Sequence, residues 1–214
     1  MYERDRELIV QFGLRILRSN HVSGTSGNIS LRVSQDMIAI TPSGVPYDEL
    51  SAKDIPIIDL EGHLVEGNLK PSVEHQLHCL IYKTFQDIHA VIHTHSIYST
   101  VLSILHKPLP AINETLLMIG ESIPVSEYAN AGSSQLADYV VSCMKKSKAV
   151  IMANHGLVCA AKTLQEAFDM CETVERGAQV YVTALSTGLP IHLIDEKCAK
   201  EAIEFLSNNY GQRR

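Results

Sequence analysis

No stretch of this 214-residue chain stays apolar for the roughly 18 residues that a membrane-spanning helix needs, so no membrane partner is expected. The opening Met1-Tyr-Glu-Arg-Asp-Arg-Glu7 alternates acids and bases and lacks the positive-then-apolar order of a secretory signal. A basic surplus is missing too: 18 Lys and Arg face 24 Asp and Glu, a net charge of −6. With no Lys/Arg stripe interleaved with aromatics, nucleic acid is not an expected ligand. Walker and Rossmann glycine loops are absent, which argues against nucleotides. There is no CxxC pair. The five cysteines, Cys79, Cys143, Cys159, Cys171 and Cys198, are scattered and odd in number. They read as reduced thiols, mostly small core fillers, in a cytoplasmic protein. Repeats, low-complexity tracts and linkers are also lacking. A 45% hydrophobic and 20% charged composition is that of an ordinary globular protein, so one domain over residues 1–214 is expected.

What is present is a mixed order of helices and hairpins. Leu8, Ile9, Phe12, Ile16 and Leu17 recur at helical spacing over residues 3–19. Residues 28–34 alternate, with Ile29, Leu31 and Val33 on one side and Ser30 and Arg32 on the other, and turn at Gln35-Asp36 into residues 37–40. Residues 57–60 and 63–66 form a second hairpin around Glu61-Gly62. Ser72 offers an N-cap to a helix reaching about Phe85. Residues 90–95 and 150–153 are short apolar strands, each preceded by helical sequence, and a further strand follows Gly156. Thr163-Leu-Gln-Glu166 opens a long helix with a Phe168, Cys171, Val174, Ala178, Tyr181, Leu185 stripe, which Gly188 and Pro190 stop. Asp195 can cap a last helix. This order predicts an α/β (α+β) sandwich with a largely antiparallel central sheet flanked by helices.

The sharpest chemical feature is His93-Thr94-His95 at the end of an apolar strand. Strand side chains two apart project from one face, so both imidazoles can reach one cation. An HxH pair alone is a weak signal in a chain with ten histidines. A third, His155, ends the other apolar strand in Ala153-Asn-His-Gly156, and its glycine allows close approach. Three neutral imidazoles with an open position are the arrangement of catalytic zinc, and manganese or cobalt could substitute. His75 and His78 are also spaced for one helix face, but with no third partner they read as a solvated or packing pair.

Three segments rich in glycine and hydroxyls, residues 24–28, 41–44 and 70–74, precede element boundaries. Each alone is an ordinary turn. Together with a metal triad they favour a bound phosphate, through exposed backbone N–H groups, hydroxyls and a helix N-terminus. Glu74 lies beside them. It either meets the helix dipole or ligates the ion and shuttles a proton, and the bare sequence leaves both roles open.

The ordered set GTSGNIS, TPSGVPYDEL, KPSVE, HTH, ANHG and Asn209-Tyr210-Gly211 resembles the class II, zinc-dependent sugar-phosphate aldolases of the fuculose-phosphate aldolase type. The likeness covers nearly the whole chain. It implies that His93, His95 and His155 hold Zn2+, and that Glu74 is the catalytic carboxylate that also touches the metal. It places Gly27, Asn28, Ser43, Gly44 and Ser72 at the substrate phosphate. Val73 stands where the family has a second phosphate-binding serine, keeping the backbone N–H and losing the hydroxyl. Glu114 falls near the family's proton-donor tyrosine, as a replacement acid or as a plain polar helix residue. Tyr210 matches a C-terminal tyrosine that reaches a neighbouring subunit's site, which implies a homotetramer. The implied reaction cleaves a ketose 1-phosphate (fuculose-, deoxypentulose- or methylthioribulose-phosphate-like) to dihydroxyacetone phosphate and an aldehyde. A dehydratase, epimerase or decarboxylase on the same scaffold is the alternative.

Overall fold

The computed structural model describes residues 2–209. Helix α1 (Glu3–Arg18) buries Ile9, Phe12 and Ile16, the stripe its periodicity predicts. The first hairpin follows as β1 (Asn28–Arg32) and β2 (Met37–Ile40), and the second as β3 (Ile57–Asp59) and β4 (Leu64–Glu66). Next come α2 (His75–Thr84), β5 (Ala90–Thr94) and α3 (Ile97–Ile104). A run of short elements comprises β6 (Leu109–Pro110), α4 (Glu114–Leu117), β7 (Ser122–Ile123) and β8 (Val125–Ser126). The chain ends in α5 (Ser134–Met144), β9 (Ala149–Met152), β10 (Gly156–Ala161), α6 (Leu164–Ser186) and α7 (Glu196–Asn209).

Eight strands form one sheet in the order β4-β3-β2-β1-β5-β10-β9-β8, and only the β8–β9 pair is parallel. Both faces are covered, as the apolar runs at residues 149–152 and 157–161 require. One face packs Ile29, Ile92, Ile151 and Leu157 against α1, α4 and α6. The other packs Ile38, Val91, Val150 and Val158 against α2 and α5. The two-residue strands and α4 carry too little periodicity to be read from sequence.

One boundary departs from expectation. Ser72 is not the cap of α2: the helix starts at His75 and Glu74 is its N-cap. Pro71 forms an antiparallel bridge with Pro42, and the Ser72 N–H donates to the Thr41 carbonyl. That tie keeps Pro71 and Ser72 outside the helix, and a turn at Val73-Glu74, closed by the His75 N–H on the Ser72 carbonyl, leads into it. Elsewhere the predicted caps form: Thr163 accepts from the Glu166 N–H, and Asp195 Oδ1 accepts from Lys197 and Cys198 N–H groups.

Candidate metal centre and active site

The three histidines meet at one end of the sheet, where β5 is flanked by β1 and β10. His93 is the fourth residue of β5, opposite Asn28 of β1 and Val158 of β10. His95 lies just beyond the strand, tied down by its N–H donating to the His21 carbonyl at 2.9 Å. Immediately after it, Glu175 caps α3 by accepting from the Tyr98 and Ser99 N–H groups and the Ser99 hydroxyl. His155 stands in the turn between β9 and β10, after rather than on the apolar strand. That turn uses Asn154 at φ 53°, a conformation asparagine tolerates, and its side-chain oxygen bonds His106 Nε2 at 2.8 Å. Gly156 is required here: a Cβ would lie 2.3 Å from the Thr94 carbonyl oxygen and 3.2 Å from both His93 and His95 rings. Gly27 plays the same part on the other side, at φ +75°, where a Cβ would lie 2.6 Å from the His93 carbonyl oxygen.

The ring centroids of His93, His95 and His155 are 4.7, 4.8 and 5.1 Å apart, and one nitrogen from each falls within 4.8 Å of the others. His93 Nδ1 donates to the Leu157 carbonyl at 2.9 Å, which leaves Nε2 bare and aimed at the cluster. His93 and His95 bring their Nε2 atoms to 2.9 Å of each other, a contact that a shared cation relieves. Burial pushes the His93 imidazole down to about 4, against the pull of Glu74, so it is neutral as a metal ligand must be.

Glu74 enters from the N-cap of α2 and is 5% exposed. Its Oε2 lies 3.2 Å from His93 Nε2 and accepts the Asn28 amide N–H at 2.8 Å; its Oε1 lies 3.6 Å from His155 Nε2. Oε1 is buried without a hydrogen-bond partner. A buried carboxylate oxygen with no donor is costly, and a divalent cation among the three imidazoles is the group that satisfies it. The residues present therefore fit a metal. Burial alone would push the Glu74 carboxyl up. The imidazoles of His93 and His155 and the Asn28 amide outweigh burial and hold it below the usual carboxylate range.

Behind Asn28 runs a buried polar chain that the sequence reading missed. Asn28 Oδ1 meets His78 Nε2 at 2.5 Å, His78 Nδ1 meets the Ser30 hydroxyl at 2.6 Å, and Ser30 meets the Tyr82 hydroxyl at 2.8 Å. His78 is fully buried, and burial pushes it down to about 3. The signal was available: His78 lies four residues after Glu74, and Ser30 is a small polar residue between Ile29 and Leu31 of β1. His75, its supposed pair, instead bonds the Ser72 carbonyl through Nδ1 at 2.9 Å.

The three hydroxyl- and glycine-rich segments converge on the same end. The Ile29 N–H donates to the Thr41 hydroxyl, and residues 41–43 and 70–72 are laced by Ser72-to-Thr41 and Ser43-to-Lys70 backbone bonds. Gly27, Asn28, Ser43, Gly44, Ser72 and Val73 thus belong to one neighbourhood with Glu74. The Asn28 side chain is committed to Glu74 and His78, leaving one amide hydrogen for a ligand. The Ser72 hydroxyl accepts from the Glu74 N–H at 3.3 Å and keeps its own proton to donate, while Val73 is 65% exposed. Glu114 is not gathered in. It begins α4, is exposed, and lines a groove with Met118, Glu166, Asp169 and Leu206. Tyr210 lies outside the described residues.

Comparison with known proteins agrees with this geometry. Residues 7–182 match the profile of the class II aldolase and adducin N-terminal domain. The 5-deoxy-D-ribulose 1-phosphate aldolase of Bacillus thuringiensis serovar kurstaki is 36% identical over 214 residues, spanning 100% of both chains. The L-fuculose phosphate aldolase of Escherichia coli K12 is 36% identical over 207 residues, 96% of this chain and 94% of the other. Among solved structures, an L-fuculose 1-phosphate aldolase superposes with a TM-score of 0.91 at 33% identity, covering 95% of this chain and 96% of that one. With a profile match over most of its length and relatives alike from end to end, the chain belongs to the class II aldolase and adducin N-terminal domain family.

Proposed function

We propose that this chain is a metal-dependent aldolase that makes and breaks a carbon–carbon bond between dihydroxyacetone phosphate and an aldehyde, its substrate a ketose 1-phosphate of the deoxypentulose, fuculose or methylthioribulose type. The observation that carries the proposal is Glu74, a buried carboxylate with one unpartnered oxygen, set against three clustered imidazoles. His93, His95, His155 and, in the empty site, Glu74 would hold the ion, with Zn2+ the proposed metal and Mn2+ or Co2+ able to replace it. Such an ion supplies Lewis acidity to the substrate's carbonyl and neighbouring hydroxyl oxygens.

The chain's own residues do the rest. Gly27, Asn28, Ser43, Gly44, Ser72 and the Val73 backbone grip the phosphate, so that remote binding energy orients the reacting carbon. In the direction of synthesis, ionised Glu74 takes a proton from the carbon beside the carbonyl of dihydroxyacetone phosphate. That carbon bonds to the aldehyde carbon, and the aldehyde oxygen takes a proton from a second acid. Cleavage returns each proton. The second acid is assigned to Glu114 or to Tyr210 of a neighbouring subunit in a homotetramer. Support for assembly comes from Ile97, Ile104 and Leu105, which leave large apolar side chains exposed on and just after α3. Among the described residues no helix is long and apolar enough to cross a membrane. The five cysteines are all unpaired, which supports the cytoplasmic reading.

The decisive experiment incubates purified protein with dihydroxyacetone phosphate and a panel of aldehydes, before and after chelation. New ketose 1-phosphates identified by mass and stereochemistry, lost on chelation and restored by zinc, are expected. Full activity in metal-free protein, or no carbon–carbon bond formation with any aldehyde, overturns the proposal.

A further inference from the structure

The Asn28, His78, Ser30, Tyr82 chain has a direction, and that direction is imposed from the catalytic end. An ionised carboxylate only accepts, so the Asn28 amide must present its NH₂ to Glu74 and its carbonyl oxygen to His78. His78 then has to carry its proton on Nε2, which leaves Nδ1 bare. The Ser30 hydroxyl gives its proton to Nδ1, and the Ser30 oxygen then accepts the Tyr82 O–H at 2.8 Å, the shorter of that hydroxyl's two contacts, the other being the His89 carbonyl at 3.4 Å. Reversing any link would set two acceptors or two donors face to face in a region where His78, Ser30 and Tyr82 are each 0% exposed and no solvent can repair the fault.

We propose that His78, backed by Ser30 and Tyr82, is a positioning residue that locks the Asn28 amide and thereby aims Glu74 at the reacting carbon. This rests on the aldolase reading above. The relay holds Oε2, which leaves Oε1, the oxygen that would meet the ion only in the substrate-free site, to exchange a proton. It also explains why three polar side chains, Ser30 of β1 and His78 and Tyr82 of α2, fill the buried interface between strand and helix, where an apolar packing of the same volume would spare the desolvation of four polar atoms. If the chain served stability alone, its loss would cost melting temperature and leave the per-site chemistry intact.

Two measurements test it. The first needs no activity: ¹⁵N-histidine NMR should find His78 neutral with its proton on Nε2, and a proton on Nδ1 overturns the relay. The second compares His78→Leu with His78→Gln, whose amide can still donate to Asn28 Oδ1. His78→Leu is expected to lower turnover, and solvent-deuterium exchange at the carbon beside the carbonyl of dihydroxyacetone phosphate, by about 10–100-fold, as loss of an outer hydrogen-bond partner does at comparable sites. Bound zinc per subunit should stay as in the wild type, and His78→Gln should recover most of the exchange. Ser30→Ala, a smaller excision in case His78→Leu does not fold, should lower exchange in the same direction. Wild-type exchange in both His78→Leu and Ser30→Ala, or losses that track lost zinc, overturn the proposal. A wild-type protein without exchange instead sinks the aldolase reading, while the tautomer measurement still decides the relay.

Discussion

Glu74 and Glu114 both stand where a helix begins, one as the N-cap of α2 and the other as the first residue of α4. Their surroundings could hardly differ more. Glu74 is buried, gripped through one oxygen by Asn28, and faces two imidazoles within 3.6 Å. Glu114 is exposed on a four-residue helix, beside a groove that also holds Glu166 and Asp169. A helix start is favourable to any carboxylate, so it distinguishes neither. What separates them is the scaffold behind: an eight-stranded sheet end and a polar relay for Glu74, a short loop-bound turn for Glu114. A residue that transfers a proton needs a fixed aim, and within one chain only the first has it.

The contrast breaks most visibly at Glu74. Glu74→Gln keeps the shape and removes the titratable group, so turnover and deuterium exchange into dihydroxyacetone phosphate should fall about 10²–10⁴-fold. NMR in deuterated water reads the exchange, and an unchanged rate alongside a lowered melting temperature would make Glu74 structural. The rigidity of the sheet end is tested next. Gly156→Ala drives a Cβ toward the Thr94 carbonyl, and forcing atoms into such a site costs about 1–3 kcal/mol. Chemical denaturation should show that loss together with weaker zinc retention, whereas wild-type stability and zinc retention would mean the strands shift at little cost.

A pH series sharpens the comparison further. His78 is held down to about 3 in the fold against 6.5 for a free imidazole, so between those values the unfolded chain binds the extra proton. Stability is therefore complete above about 6.5 and declines as pH falls, by up to about 1.4 kcal/mol for each pH unit. Denaturation of metal-free protein at pH 7 and pH 5 should show a larger drop for the wild type than for His78→Gln; equal drops would place a water or an ion beside His78. The smallest effect is expected at Glu114. Glu114→Gln should leave stability within about 0.5 kcal/mol, as for other exposed positions. A larger loss would reveal a hold on α4 and erase the contrast with Glu74.

Much of the centre was legible in the sequence because its signals are local. HTH at a strand end and ANHG with its glycine are legible as ligand sets from strand alternation and short turns, and the β5–β10 pairing then brings the two together. The relay was not legible, since His78 and Asn28 are fifty residues apart and meet only because α2 lies across β1. A helical pair without a third histidine reads as packing until that crossing is seen. The start of α2 was misplaced for a related reason. Ser72 is a good cap by residue type, but the Pro42–Pro71 bridge outweighs local preference.

By itself the sequence determined the class of fold, the three-histidine set and the clustering of hydroxyl and glycine segments at element ends, because periodicity, capping and strand alternation act over a few residues. Only the tertiary structure decided that Glu74 is a buried acceptor aimed by Asn28, that His78 stands behind it, and that Glu114 stands elsewhere. Those outcomes depend on which helix crosses which strand, and that choice is made by burying both faces of one sheet at once.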